Sequence, residues 1–255
     1  MSASTSSSST SVDALFDGAL TLEQGVRGYR YNVDSVLLCV FAHSVLGEDI
    51  LDVGAGVGTI GLGAAHLCST RRVTLVERQP RLAALARANV QRNALSERCT
   101  VIETDIRTLK GRSHHYDGAV MNPPYFRAGA GKLSPENERA LARHEVFGTI
   151  EELVSSTARH LYKNAPLCVV FPADRAGALF AALDRSQRRH IVLQTVLPYA
   201  GAAATLVLVA ARGSSTHTTH ILPPLILHQE DRSYTAEAAH ILRHGHWPWH
   251  EVLPT

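Results

Sequence analysis

From residue 50 onward, short apolar runs alternate with longer stretches in which apolar positions recur every three or four residues. The runs at 50–53, 73–76, 99–103, 117–121, 166–171, 191–197 and 204–211 have strand length and are rich in Val, Ile and Leu. The stretches near 59–68, 80–93, 149–162 and 173–186 carry the helical period. Nearly continuous apolar strands separated by helices predict an α/β fold whose mostly parallel, seven-stranded sheet is covered by helices on both faces. The last two runs are joined by Ala200-Gly201-Ala202, which predicts an antiparallel hairpin at one edge of that sheet.

The chain divides accordingly. Residues 1–14 begin with MSASTSSSSTSV, a Ser/Thr tract with neither a basic start nor an apolar core, and read as a flexible tail rather than a secretion signal. Residues 15–49 predict a small hairpin with a glycine turn, followed by a helix from Asp34 to Leu46. Residues 50–211 form the main domain, and 212–255 an extension packed on it. With 45% hydrophobic and 19% charged residues in 255, the composition is that of a globular domain. No apolar run is long enough to span a bilayer. Cys39, Cys68, Cys99 and Cys168 are far apart and mostly within apolar segments, which predicts free thiols, a reducing cytoplasmic compartment and no structural zinc. The fourteen histidines, clustered at His114-His115, His217 with His220, and His240-His244-His246-His250, show no convincing ligand spacing with cysteines or carboxylates, so no metal is assigned. The last cluster, with Arg243, Trp247 and Trp249, reads as a solvated amphipathic stretch.

Two motifs carry chemistry. The first is Asn122-Pro123-Pro124-Tyr125, directly after the apolar run Ala119-Val120-Met121. An Asn side-chain oxygen beside the Pro123 carbonyl is a paired acceptor for a planar NH2 group such as that of adenine, cytosine or glutamine. Tyr125 adds an aromatic face for stacking, worth roughly 1–3 kcal/mol for a nucleobase. Alone, the tetrapeptide is an ordinary turn sequence. The second motif changes that: Asp52-Val53-Gly54-Ala55-Gly56-Val57-Gly58 ends a strand and opens a helix, with the pattern DxGxGxG. Its glycines permit positive φ and close approach of a ligand at the carboxyl edge of a parallel sheet. Asp52 would repel pyrophosphate and attract an ammonium group, such as that of a methionine moiety. Glu77, at the end of the next strand and about 20 residues after the turn, has the spacing of a ribose-hydroxyl acceptor. Asp105, at the end of the strand after that, is placed to accept from the exocyclic amine of a bound adenine.

In this order the motifs resemble the class I S-adenosylmethionine-dependent methyltransferases, a Rossmann-like family, and in particular the branch that methylates amino groups and carries an NPPY-type sequence. Within that branch the chain is similar to the bacterial enzymes that modify adenine N6 in a valine tRNA next to its anticodon. The similarity includes 24–30 (Gln24 to Arg30), 34–38 (Asp34 to Leu38), Ser134-Pro135, 142–145, and the closing 222–228 with Tyr234-Thr235. Val26 departs from the family pattern, where proline is expected. The resemblance implies S-adenosylmethionine as cofactor, held by Asp52, Gly54, Ala55, Gly56, Gly58, Glu77, Asp105 and Asn122, with Tyr29 and Asp34 near its methionine end. Asn122, Pro123, Pro124 and Tyr125 are the expected catalytic residues. It also implies a tRNA substrate, whose path Arg27, Arg30, Arg127, Lys132, Arg139 and Arg143 are expected to line; no membrane and no obligate protein partner enter this reading.

The mild net charge of +2 does not by itself demand nucleic acid. The same acceptor geometry admits a glutamine amide, as in enzymes acting on a release factor, although only 49 residues precede Ile50 where such enzymes usually place a larger helical domain. A non-catalytic RNA-binding module of the same fold is the third reading, and it leaves the full set of motifs without a use.

Overall fold

A computed structural model of the protein describes residues 10–26, 32–110, 115–123 and 148–248. The chain opens with a hairpin, β1 (Thr10–Leu15) and β2 (Leu20–Gly25), followed by α1 (Val33–His43). Then come β3 (Asp49–Val53), α2 (Thr59–Leu67), β4 (Arg72–Glu77), α3 (Pro80–Arg92), β5 (Cys99–Glu103) and β6 (Gly118–Met121). After the segment at 124–147 follow α4 (Ile150–Ala158), β7 (Leu167–Pro172), α5 (Ala176–Arg185), β8 (His190–Leu197) and β9 (Leu206–Arg212). The described chain closes with β10 (Thr218–Ile221), β11 (Leu225–Ile226) and α6 (Ala236–His244).

The sheet runs β10-β8-β9-β7-β6-β3-β4-β5. From β3 to β7 and to β5 all neighbours are parallel, while β9 is antiparallel to both β7 and β8. The chain steps outward from β3 to β4 and β5, then returns to the other side of β3 with β6. That reversal makes β3/β6 the topological switch point, beyond whose carboxyl ends ligands bind in open α/β sheets. Val53 pairs with both Val76 and Met121, so the residues that follow, Gly54, Glu77 and Asn122, leave from three adjacent strand ends.

Both faces of the central strands β3, β4, β6, β7 and β9 are buried, which is why they read as nearly continuous apolar runs rather than alternating ones. Ile50, Val73 and Val120 face one core together with α1, α2, the hairpin and α6. Leu51, Val53, Val76 and Met121 face the other, under α4 and α5. The seven expected strands are all present, but β8 does not form the edge. β10 and β11 pair with it in parallel, so part of the 212–255 segment joins the sheet instead of lying on it. These strands are four and two residues long, and the sequence Thr218-Thr219-His220 carries no apolar run to announce them. Nor is the C-terminal stretch wholly solvated: Trp247 is 2% exposed and donates its indole N–H to Gln194 Oε1 at 3.1 Å, with Ile241 buried beside it.

Residues 10–14, expected within the tail, are instead strand: β1 begins at Thr10 and pairs with β2 along its whole length. The hairpin is bound to the domain by two asparagines one helical turn apart at the end of α3, Asn89 within the helix and Asn93 at its C-cap. Asn93 accepts from Thr21 N–H and donates to Thr21 O, and Asn89 does the same for Glu23. Residues two apart on a strand and four apart on a helix advance by similar distances, so each amide side chain stands in for one residue of a missing neighbour strand. Asn89 Nδ2 also donates to Val57 O in the glycine turn at 2.9 Å, which ties the hairpin to the site.

Candidate functional site

The floor of the site is the turn between β3 and α2. Gly54, Gly56 and Gly58 have φ of 69°, 59° and 93°, values that L side chains rarely adopt. A Cβ on Gly54 would meet nothing within 4 Å, so the turn leaves open space above its backbone, whereas Gly61, one turn into α2, could not carry one: its Cβ would lie 2.8 Å from Asp52 Oδ2. With only hydrogen there, Gly61 N–H approaches and donates to that oxygen at 2.8 Å.

Asp52 is thereby fixed beneath the turn, 1% exposed, and its Oδ1 is a buried acceptor with no hydrogen-bond partner among the described residues. Loss of water pushes its carboxyl up to about 7; the Gly61 bond works against the shift and the neighbouring Glu77 charge adds to it. Glu77 is likewise buried and raised by desolvation. Its Oε2 accepts from Gly56 N–H at 2.9 Å and its Oε1 from Gln79 N–H at 2.7 Å. Ala55, between the glycines, donates its N–H to Val76 O. The result is an open glycine cradle over two buried acids with no ion-pair partner among the described residues, which fits a ligand bearing a cation and hydroxyl groups and disfavours a phosphate.

Asp105 differs. It lies two residues beyond β5, where the Arg107 guanidinium engages both its oxygens, Nε to Oδ1 at 3.0 Å and Nη2 to Oδ2 at 2.7 Å. Those bonds, with Arg78 at 3.5 Å, hold its carboxyl below the usual range. The expected role of Asp105 toward an exocyclic amine therefore falls on a carboxylate already shared with an arginine, which the sequence reading did not include.

Asn122 is half-buried at the end of β6 and Pro123 is buried. Two residues after Val120, Asn122 continues the alternation toward the face covered by α1, and its Nδ2 donates to Ser35 Oγ in the first turn of that helix at 3.0 Å. With the amide nitrogen turned to Ser35, Oδ1 is the end of the side chain left for another donor. Asp34, expected at the methionine end of the cofactor, precedes Ser35 on α1 and is partly buried. Pro124 and Tyr125 lie outside the described residues, as do Tyr29, Arg27, Arg30, Arg127, Lys132, Arg139 and Arg143. Thus the structure brings Asp52, the glycines, Glu77 and Asn122 to one edge. Ser35, Gly61 and Arg107 are the partners that the sequence reading left without roles.

The sequence matches the methyltransferase small domain family over residues 32–175. A tRNA1(Val) (adenine(37)-N6)-methyltransferase of Aliivibrio fischeri is 36% identical over 170 residues, covering 67% of this chain and 71% of that protein. The protein of the same name from Aeromonas hydrophila is 32% identical over 181 residues, covering 71% and 75%. Among solved structures, a predicted O-methyltransferase from Agrobacterium tumefaciens superposes with a TM-score of 0.66 at 23% identity, covering 84% of this chain and 97% of that one. A T. thermophilus 16S rRNA methyltransferase in complex with AdoMet and guanosine gives 0.57 at 18%, covering 81% and 50%. Likeness at these identities speaks to the fold. No helix among the described residues is long and apolar enough to cross a membrane. The chain belongs to the methyltransferase small domain family, in the branch of the tRNA1(Val) adenine-N6 methyltransferases.

Proposed function

We infer that the protein methylates N6 of an adenine in tRNA, using S-adenosylmethionine, and that the adenine is the one next to the anticodon of a valine tRNA. The observation that carries this is the register at the switch point: Val53 opposite Met121 sets the glycine cradle and Asn122 side by side. S-adenosylmethionine supplies an electrophilic methyl group on a sulfonium. Its charge suits the two acids beneath the turn, and Glu77, whose oxygens keep lone pairs beyond those given to Gly56 and Gln79, is the acceptor for ribose hydroxyls.

The rest is done by the chain's own groups. The lone pair of an adenine amino group is conjugated with the ring and is a weak nucleophile. Asn122 Oδ1 and the Pro123 carbonyl, accepting the two N6 hydrogens, favour the pyramidal nitrogen and accommodate the positive charge that develops on it. Rate then comes from alignment, and no strong base is required, because the alkylated nitrogen is far more acidic than the amine. An adenine in an anticodon loop is unstacked at lower cost than one in a duplex. A tRNA substrate is in keeping with an enzyme of the cytoplasm.

The test is incubation of the protein with labelled S-adenosylmethionine and, separately, total unmodified tRNA and a peptide-chain release factor. Label recovered as N6-methyladenosine supports the reading. Label confined to the release factor moves the acceptor to glutamine, and label in neither removes the enzymatic assignment for both substrates.

A further inference from the structure

The acceptor role of Asn122 contains a choice that its own motif does not make. A side-chain amide has a donor end and an acceptor end of nearly the same shape, and rotation about its last torsion exchanges them. In one orientation Oδ1 meets the substrate NH2 and a hydrogen bond forms. In the other, Nδ2 meets it, donor faces donor, and the bond that favours a pyramidal nitrogen is lost. Pro123 stiffens the backbone but does not set this torsion.

The partner that does is on another element. Asn122 Nδ2 donates to Ser35 Oγ at 3.0 Å across 87 residues of sequence. Ser35 is 2% exposed, and its own N–H is bonded to Asn32 O at 3.1 Å, so it is held in the first turn of α1. That helix packs its buried face, Val36 to Ala42, into the same core as Val120 of β6. A serine in a helical turn has the option of donating its proton to a carbonyl one turn back, which leaves its lone pairs for an incoming N–H. A hydroxyl at this place has little reason to be buried unless it has a partner.

We propose that Ser35 is a positioning residue: it holds the Asn122 amide with Nδ2 inward, so that Oδ1 faces the amino group to be methylated. This rests on the acceptor role given to Asn122 above. Ser35 touches neither of the reacting atoms in this account and acts only through Asn122. It is one residue from Asp34, so a role at the methionine end of the cofactor is the rival explanation.

A double-mutant cycle separates the two. Ser35→Ala removes one oxygen and is expected to lower kcat about tenfold, the order of one lost hydrogen bond, with the dissociation constant for S-adenosylmethionine and the KM for the acceptor within about twofold of wild type. In the Asn122→Ala background the same change is expected to have no further effect on the residual rate. An unchanged kcat, an equal loss in both backgrounds, or a loss confined to cofactor affinity would each overturn the proposal. The cycle is run on whichever NH2-bearing substrate the wild-type protein turns over, so failure of the tRNA assignment leaves it intact. A second readout needs no turnover: in 15N-asparagine-labelled protein, the side-chain NH2 resonance missing from Asn122→Ala should be protected from solvent exchange in wild type and lose that protection in Ser35→Ala. Equal protection in both contradicts the bond.

Discussion

The two sides of the switch point are built by opposite means. On the β3/β4 side, two carboxylates are buried under glycine backbone, away from water and with no ion-pair partner among the described residues, so that their ionised forms are disfavoured. On the β6 side the described group is a neutral amide, oriented by one hydroxyl, with no charge to compensate. Under the function proposed above, the difference follows from what each side must hold. A permanent cation is bound by unsatisfied negative charge, which is expensive in the empty protein; a neutral amino group that becomes positive only during transfer is served by oriented dipoles that cost little beforehand. Asp105, farther along the same edge, shows a third arrangement, a carboxylate neutralised in advance by Arg107 and therefore a weak attractor of cations.

The sharpest way to break this division is Asn122→Ala. Transfer should fall by roughly a thousandfold or more while the affinity for S-adenosylmethionine stays within a few fold, as read by single-turnover assay beside titration calorimetry. A parallel loss of both would merge the two sides into one. Next in size, Glu77→Ala removes the acceptor of Gly56 and Gln79 N–H groups and should weaken cofactor binding about a hundredfold, with kcat at saturation changed far less.

Asp52→Asn should produce two effects of opposite direction. The buried charge is lost, so the cofactor-free protein should gain stability near pH 8, while cofactor affinity falls by about tenfold. The pH dependence has a definite sign. Asp52 in the folded protein takes up its proton near 7, whereas in the unfolded chain it does so in the ordinary carboxylate range. Between those values the folded state holds the extra proton, so the stability of the cofactor-free protein rises as pH falls from about 8 toward 5, by up to about 1.4 kcal/mol per pH unit. Over the same interval cofactor affinity should decline, since the proton and the cation compete for one charge. Denaturant melts and calorimetry across this range check both slopes, and Asp52→Asn should flatten them. The smallest effect belongs to Asp105→Asn, a two- to fivefold loss of cofactor affinity, with little pH dependence above 5 because Arg107 keeps that carboxylate ionised.

What was legible in the sequence was what is local. The strand, the glycine turn and the helix after it announce themselves within about twenty residues, whereas the register that sets Asn122 beside Gly54 depends on β6 returning to the far side of β3. What was not legible depends on distance or on weak pattern. Ser35 meets Asn122 across 87 residues, and nothing in either segment's periodicity joins them. Gln194 and Trp247 meet across 53, so a residue in a His-rich, seemingly solvated stretch is in fact core. Strand β10 is held by the neighbouring β8 rather than by its own apolar content. Arg107 lies two residues from Asp105 and escaped notice for another reason: an arginine near a strand end has no spacing that distinguishes a partner from a solvated charge.

The measurement closest to the central claim uses a valine tRNA transcript and a second one in which the adenine next to the anticodon is replaced by guanine. With labelled S-adenosylmethionine, the protein should place N6-methyladenosine in the first transcript and leave the second unlabelled. Equal label in both, or none in either, would contradict the account.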